Sequence, residues 1–500
     1  MMSDSYSLAD KIIRKTDELK SKRVNFEKLW QEISELVLPR KADFTVKQEP
    51  GAKRTRKLYE TTAVNAAEIL AAGLHGLMTN PSGKWFSLSV PKYQNVPEIS
   101  DWVVSAEQVI ADEIGRACAG FATNIHEVYL DLAVLGTAGL YVGWNEENES
   151  LLFQSRFPGE LFLEENAAGQ VDRVYRVFKM SLDQIVQTWG HNVLPEKMLS
   201  DFETGNQTER EYEIIHAVTP NVLYKKGDVF QKPVSSVYVL KEERTVLFSG
   251  GFEEMPLFVT RWSKTCTEIY GRSPAATVLP DIKMIQEMMK ETIIAAQLAN
   301  RPPLLVRDDD QFAPAATVPG GIIRYTGEAP KAFVSGANSG VGLEIMNEIR
   351  TRIKTAFYTD QLISTENVQM TATEVLQRTE EKMRLLGPVF GRLQTELLGP
   401  MMLRIFGLLV RHGKMILPEG ISFGDVKVEY VSPLSLAQKH LQARAVMQTL
   451  ELAEEFLKIQ PEAASVFNGP EAIRKIGEMY GVSSSLFNTC DERKENDGER

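Results

Sequence analysis

The fold of this chain is decided by two stretches, which read SPAATVLPDIKMIQEMMKETIIAAQLAN over residues 273–300 and GLEIMNEIRTRIKTAFYTDQL over residues 342–362. In both, apolar side chains recur at alternating steps of three and four residues. They are Ile282, Ile285, Met289, Ile293 and Ala296 in the first stretch, and Leu343, Met346, Ile349, Ile353 and Ala356 in the second. This spacing places them on one side of an α-helix. The sequence therefore predicts two long helices whose matched apolar stripes can pack on each other or on copies of the same chain.

The ends of the first helix and the insert that follows it are marked by particular residues. Ser273 can cap the first free amides, and Pro274 is preorganised for the first helical turn. Arg301-Pro302-Pro303 stops the helix, because proline lacks an amide hydrogen and restricts the residue before it. In the insert, Gly320-Gly321 predicts a turn before a strand at Ile322–Tyr325. We expect a compact, exposed, β-containing unit between the two helices.

Charged side chains on the two helices form one acidic and one basic edge. Glu287 and Glu291 lie one turn apart on the first helix, and Arg350 and Lys354 lie one turn apart on the second. Each pair alone is mildly self-repelling. Either the acidic edge of one helix meets the basic edge of another and sets the register between packed copies, or the basic edge faces a polyanion. We favour the first interpretation.

Composition narrows the class of protein. The chain has 500 residues, 43% of them hydrophobic, which is enough for several subdomains. A net charge of -11 argues against a nucleic-acid binder with a basic surface throughout. Cys118, Cys266 and Cys490 lie far apart and form neither a disulfide framework nor a zinc pattern. With no long apolar run and no hydrophobic signal region, we expect no membrane span and a chain that is intracellular when made.

The rest of the sequence predicts an α+β protein that is mainly helical. Helical patterns cover residues 7–37, 61–78, 99–119, 121–135, 371–386, 389–411 and 436–481. Strand patterns cover residues 85–90, 141–144, 151–153, 174–178, 214–218 and 257–262. The helix over 61–78 is rich in alanine, so a neighbouring element should approach its backbone closely. Gly387-Pro388 and Gly399-Pro400 should break or bend the downstream helices.

No motif offers the parts of a catalytic, cofactor or metal site. The segment Gly76–Lys84 differs from a phosphate loop, because its glycines are seven apart and Trp85 stands where the magnesium-binding hydroxyl should be. The glycine-rich residues 336–342 fit a flexible connection better than a dinucleotide fingerprint. The consecutive acids Asp308–Asp310 fit a solvated loop tip better than a cation site. We therefore predict a protein that is not an enzyme and needs no cofactor.

Several segments in order along the chain carry a family resemblance. They are Lys57–Ala63 continuing through Leu70–Leu74 to Pro81–Phe86, then Tyr270–Ala275 with Leu279-Pro280-Asp281, then Met370–Val375, and finally Leu386-Gly387-Pro388 with Gly391–Gln394. No single segment is specific, but their order is. Together they resemble the head-to-tail connector, or portal, proteins of short-tailed (podovirus) bacteriophages. The resemblance extends over nearly the whole chain.

This resemblance implies a ring, usually of twelve subunits, in which each subunit has a wing, a two-helix stem, a clip and a helical crown. The implied divisions are an N-terminal α+β wing over residues 1–272, a first stem helix over 273–300, a clip over 301–341, a second stem helix over 342–362, a channel loop and wing helices over 363–432, a crown over 433–481, and a charged tail over 482–500. The stem divisions coincide with the two helices predicted from periodicity.

The resemblance also implies partners and a location. The ring would occupy one vertex of the capsid, and double-stranded DNA would pass through its channel during packaging and ejection. A terminase motor and then a tail adaptor would dock at the clip, with capsid and scaffolding proteins around the ring. The chain would be part of the virion and would reside in the host cytoplasm during assembly. The main alternative is another capsid-internal or scaffold-like structural protein without a DNA channel, and an enzyme with an unrecognised site is more remote.

The polar stretch 361–370 matches the position of the family's channel loop. Its hydrogen-bonding side chains could contact phosphates without the tight grip of lysine. They are Ser364, Thr365, Asn367 and Gln369, with Glu366 among them. A surface turn is the ordinary reading of such a stretch. We expect the loop to face the DNA, and an acidic channel wall would let the duplex slide.

Overall fold

The structure is a computed structural model that describes residues 2–81, 83–93, 96–204, 210–225, 231–307, 318–325, 328, 339–362, 386–431, 443–451 and 469–479. Its helices are α1 (Met2–Val37), α2 (Thr62–Met78), α3 (Pro97–Gly115), α4 (Phe121–Leu135), α5 (Leu182–Trp189), α6 (Glu196–Glu203), α7 (Pro274–Thr277), α8 (Leu279–Asn300), α9 (Ser339–Ala356), α10 (Thr359–Leu362), α11 (Leu386–Arg411), α12 (443–451) and α13 (Gly469–Met479).

The strands are β1 (Phe86–Ser89), β2 (Thr137–Asn145), β3 (Ser150–Arg156), β4 (Leu161–Glu165), β5 (Val171–Ser181), β6 (Glu211–Pro220), β7 (Val234–Leu240), β8 (Thr245–Phe252), β9 (Leu257–Arg261), β10 (Leu304–Arg307), β11 (Ile322–Tyr325) and β12 (Lys427–Tyr430). They form sheets in the orders β3-β2-β9 and β4-β5-β6-β7-β8, both antiparallel, and the pairs β1-β12 and β10-β11. The predicted α+β class is confirmed.

The main core surrounds α2 and α4. On α2, Ala63, Ala67 and Ala71 are buried, and α4 packs closely against this helix. Nearly every residue of α4 after its first turns is buried, because the helix is covered by α2 and by strands β2 and β3. The prediction that the alanine-rich helix permits a close neighbour is confirmed. This core anchors the base of α8 and α9.

The five-stranded sheet has two covered faces. Successive residues of a strand point to opposite faces, and Ile215 on β6 packs with α1 residues such as Ile12, whereas Ile214 packs with Ile185 of α5. The sequence patterns did not predict β10 and β12, nor three strands of this sheet, β4, β7 and β8. The last of these contains Gly250-Gly251 and lies at the edge of the sheet, where pairing with β7 outweighs its weak intrinsic strand preference.

Helix α11 contains a π-helical turn at Gln394–Leu398, where the amide of Gly399 donates to the carbonyl of Gln394. Pro400 follows, so the irregularity falls next to the predicted bend at Gly399-Pro400. By length and composition α11 is the one described helix that could cross a membrane. However, 61% of its most apolar window is buried inside the protein, as expected for a core helix.

The two predicted long helices are each interrupted, which corrects the prediction. The first divides into α7, capped by Ser273, and α8, because Pro280 requires a new helix start near Leu279. The second ends at Ala356, and Tyr358 adopts a left-handed backbone with φ of 56° before the short α10 begins. Helices α8 and α9 lie side by side and run in opposite directions, with Arg352 near the end of α9 close to Asp281 at the start of α8.

Candidate functional site: the long helix pair and its root

The apolar stripes of α8 and α9 are covered at one end and open at the other. Ile282 and Ile285 on α8 are buried, as are Ile349 and Ile353 on α9, where both helices meet the body. Towards the far end the stripe emerges, and Leu343 has 55% of its surface exposed. Further exposed apolar residues of this end are Ile293, Ile294 and Ile345. The pair is therefore held at its root, whereas its tip is left open by the residues that the structure describes.

The strands that follow α8 extend this open apolar surface. Strands β10 and β11 pair in parallel, with Leu304 opposite Ile322. Leu304 and Leu305 are consecutive, so they point to opposite faces of the small sheet, and both are exposed. A two-stranded sheet with both faces open is marginal by itself in water. The strand predicted at Ile322–Tyr325 is confirmed as β11, whereas residues 308–317, 326–327 and 329–338 of the predicted unit lie outside the described part of the chain.

The root of the helix pair is a polar junction centred on Glu60. Its carboxylate accepts hydrogen bonds from Nε and Nη2 of Arg350 on α9, at 3.1 and 2.6 Å. The other oxygen accepts from the amide and the hydroxyl of Thr62, the first residue of α2. Glu60 thus ties α9 to the N-terminus of α2, where a negative charge is favoured by the helix dipole.

Gln286 on α8 completes this junction. Its Oε1 accepts from the backbone amides of Tyr59 and Glu60, at 2.7 and 3.0 Å, and its Nε2 donates to the carbonyl of Glu60 at 2.7 Å. The side chain is buried. One amide side chain therefore fixes the backbone before α2 against α8, while Glu60 fixes the same segment against α9. We call Glu60, Gln286 and Arg350 the root junction.

The ionisation of Glu60 follows from these contacts. Partial burial acts to raise its pKa, but hydrogen bonds from Arg350 and Thr62, together with the guanidinium charge, outweigh burial and hold the pKa below its usual range. The carboxylate is therefore charged at neutral pH. A charged pair with a fixed geometry is suited to holding three helices at set positions, since charge-assisted hydrogen bonds are the stronger kind.

The structure does not bring the four predicted edge charges together. Glu287 pairs with Lys290 on its own helix at 2.7 Å, and Arg350 is taken up by Glu60. Glu291 and Lys354 are exposed, and within the described part of the chain neither has an ion-pair partner. Residues Ser364, Thr365, Glu366, Asn367 and Gln369 of the predicted channel loop lie outside the described residues.

Pattern reading missed Glu60 and Gln286, although a signal was present for each. Gln286 is a polar residue next to the apolar stripe, one turn after Ile282, and a buried amide at such a position needs partners. Glu60 belongs to the Lys57–Ala63 segment that carries the family resemblance. What the sequence could not give was the partner of either residue, since Glu60 and Gln286 are more than two hundred positions apart.

Among the described residues, no group of three or more His, Cys, Asp and Glu side chains is arranged to hold a metal ion. Asp131, a carboxyl whose pKa is raised by burial, lies in the core and shares Lys41 with Glu127, so the two acids form an ion-paired cluster around one lysine. What the geometry of the helix pair offers is contact with other molecules, through an open apolar tip and two free edge charges.

Comparisons with known proteins place this geometry in a family. A family model described as bacteriophage head to tail connecting protein matches residues 9–487. The chain is 28% identical over 493 residues to a probable portal protein of Bordetella phage BPP-1, covering 95% of this chain and 88% of that protein. It is 26% identical over 500 residues to the portal protein of Salmonella phage epsilon15, covering 96% and 88%.

Among solved structures, the virion of a native gene transfer agent particle matches with a TM-score of 0.34 and 10% identity, covering 83% of this chain and 89% of that one. The family match spans the body, the helix pair and the downstream helices alike. This chain belongs to the bacteriophage head to tail connecting protein family.

Proposed function

We propose that this chain is a portal protein, which assembles into a closed ring at one vertex of the capsid and provides the passage for double-stranded DNA. The family match over residues 9–487 and the two portal relatives support this function. The observation in the chain itself that carries it is the open apolar tip of the helix pair. Such an apolar surface is stable only when another molecule covers it, and in a portal ring identical copies of the chain would do so.

The open tip argues for a ring rather than a two-fold dimer. Exposed apolar residues occur on α8, on α9 and on both strands of the small sheet, so the surface is distributed around the tip and not confined to one side. A heterologous interface, in which different sides of neighbouring copies meet, closes into a ring when its rotation permits. Glu291 on α8 and Lys354 on α9 would then be available to pair between copies, as the complementary-edge interpretation requires.

The finer assignments follow from the same proposal. The helix pair is the stem, the unit around β10 and β11 is the clip, and the body with α11 is the wing. The clip docks the terminase motor and then the tail adaptor, and scaffolding and capsid proteins surround the wing. The chain is a structural component of the virion, assembled in the host cytoplasm, and we assign it no enzymatic activity.

We propose that the stretch 361–370 reaches the channel and contacts DNA through its residues beyond Leu362, because Gln361 and Leu362 lie in α10 and Leu362 packs on Gly73. Its polar side chains can hydrogen-bond to phosphate oxygens, and the absence of lysine in this stretch keeps the contact weak enough for a duplex to pass. Replacing Glu366–Gln369 with a Gly-Ser linker should leave rings intact and change how well filled heads retain DNA. If filled heads made with this variant retain DNA as well as those of the parent, the proposed role is wrong.

Docking by the clip is tested through a deletion. Removing residues 311–317 should leave ring assembly intact, because the long helices are untouched, but should abolish packaging, because the motor loses its contact. The readout is protected DNA inside heads assembled with the variant. Normal packaging by this deletion would refute the assignment of the clip.

The function as a whole is tested by complementation of a portal-deficient phage. Leu343→Asp places a charge on the open tip of α9 and should give heads without packaged DNA. The matched control is Val222→Asp, since Val222 is 91% exposed on a turn of the body between β6 and β7 and should tolerate a charge. Equal packaging by both variants would contradict a portal built through the helix tip.

A further inference from the structure

The backbone at Tyr358 is strained, although this residue does not lie in a tight turn between strands. Its φ of 56° is left-handed, a region that side-chain-bearing residues rarely adopt. The other such residues in the described part of the chain, Glu149 and Arg244, lie in the tight turns that join β2 to β3 and β7 to β8. Tyr358 instead separates two helices that could be one.

Two polar side chains beside Tyr358 are left without partners. Thr359 is 6% exposed, and its Oγ1 is buried with no hydrogen bond within the described structure. The Oε1 atom of Gln361 is likewise buried and unpaired there. A buried polar atom without a partner is costly and is uncommon in folded proteins. The docked position of α10 thus combines backbone strain with two unmet hydrogen bonds.

One contact offsets these costs. Leu362, at the end of α10, lies directly against Gly73 in α2, so that a Cβ atom at position 73 would come within 2.7 Å of Leu362 Cδ1. The close approach exists only because residue 73 is glycine. Phe357 is fully buried beside the break, and the Tyr358 ring lies 6.3 Å from that of Trp262. Apolar packing of Leu362 therefore holds α10 in place.

The sequence favours a different local structure. Residues 343–362 contain neither glycine nor proline, and their periodicity predicts one continuous helix. In such a helix Tyr358 would have a helical backbone, each amide would bond four residues back, and the side chains of Thr359 and Gln361 could reach water. Leu362 would leave Gly73. The docked arrangement gains apolar packing of Leu362 and of the Tyr358 ring, at the cost of backbone strain and two unpaired polar atoms.

We propose that Phe357–Leu362 is a two-state joint at the root of the second long helix. In the docked state Tyr358 is left-handed and Leu362 packs on Gly73. In the straight state α9 continues through Leu362 and the contact with α2 is released. The joint is a property of the folded chain and does not depend on the portal function, so the two can fail separately.

The test measures how fast a thiol at position 359 is alkylated in the purified full-length chain. Thr359→Cys places a thiol of similar size at a site that is buried in the docked state. Labelling is quantified peptide by peptide by mass spectrometry, with the exposed Cys266 of the same molecule as an internal standard. A second reporter, Ser34→Cys in α1, is buried in the core and should stay protected in both states.

Two variants should move the joint in opposite directions. Tyr358→Gly removes the penalty of a left-handed backbone and should slow labelling at position 359 by about fivefold or more. Tyr358→Ala keeps that penalty and controls for loss of the ring, so it should not slow labelling. Gly73→Ala crowds Leu362 and should speed labelling at position 359 several-fold while Ser34→Cys stays protected. Unchanged rates in both Tyr358→Gly and Gly73→Ala, or acceleration shared equally with Ser34→Cys, would overturn the proposal.

Discussion

Among single residues, those of the root junction and of the buried ion pairs have the effects on stability that can be predicted most specifically. Gln286 makes three hydrogen bonds to one short backbone segment, and Glu60 makes four to Arg350 and Thr62. Each of these residues connects two segments that are far apart in the sequence, so no neighbouring side chain makes the same contacts. These contacts set where α8 and α9 leave the body.

Gln286→Leu should lower the free energy of unfolding by about 2 kcal/mol, because it leaves the partly buried amides of Tyr59 and Glu60 without an acceptor. Chemical denaturation monitored by circular dichroism measures the change. Gln297→Leu, at an exposed position of the same helix, is the control and should stay within about 0.5 kcal/mol of the parent. If the two variants are equally stable, the root junction does not support the helix pair.

Asp131 gives a prediction on pH. Burial raises the pKa of its carboxyl from the ordinary 3.8 to about 6, because the cost of burying the charge outweighs the attraction to Lys41 at 2.6 Å. The folded chain then holds a proton that the unfolded chain has lost, so this group makes stability fall as pH rises from about 4 to 6. Lys41 also pairs with Glu127 at 2.9 Å and would keep a partner without Asp131.

Asp131→Asn should therefore stabilise the chain above pH 6, by on the order of 1 to 2 kcal/mol after the lost attraction to Lys41, with the gain shrinking towards pH 4. Thermal unfolding across this pH range checks it. Asp112→Asn, on the exposed face of α3, should show no such pH-dependent gain. A variant that is less stable than the parent at pH 8 would show that the ion pair outweighs burial.

Periodicity located the long helices, but it did not predict the short α5 and α6 or the interruptions of the long helices. Helix α4 and the start of α7 follow from local pattern, because apolar spacing and the Ser273 cap act within a few residues. The break at Tyr358 depends on Gly73, nearly three hundred positions away, and no local pattern reports it. Strand β8 was not predicted for a similar reason. Its glycines have a low strand preference, and the hydrogen bonds to β7 that stabilise the strand come from a separate segment.

The burial gradient along α9 gives a prediction at this scale. Ile353 is fully buried at the root, so Ile353→Ala should cost about 3 kcal/mol of unfolding free energy through lost packing and the cavity left behind. Ile345 lies near the open tip of the same helix, and in the isolated chain Ile345→Ala should cost less than about 0.5 kcal/mol. Urea unfolding of dilute, unassembled protein compares them. Equal costs would mean that the tip is not open.

In the molecule as a whole, an apolar surface at the tip of the helix pair stays uncovered by the described residues. Leu304 and Ile322 on β10 and β11 are 62% and 58% exposed, whereas the apolar stripes of the helix pair are buried at its root. The order of the segments that resemble portal proteins predicted a ring-forming protein from the sequence. The sequence could not show which part of the helix pair is satisfied within the chain and which part waits for a neighbour, because that depends on how the body packs.

Electron microscopy of the purified, assembled chain would show whether it forms the portal ring. We predict a closed ring with an axial channel, in which the tips of neighbouring helix pairs meet and Leu304, Ile322 and Leu343 are buried between copies. Glu291 and Lys354 should lie near opposite charges of adjacent copies. Particles no larger than dimers at micromolar concentration across a range of salt, or rings in which these three apolar side chains remain exposed to solvent, would contradict it.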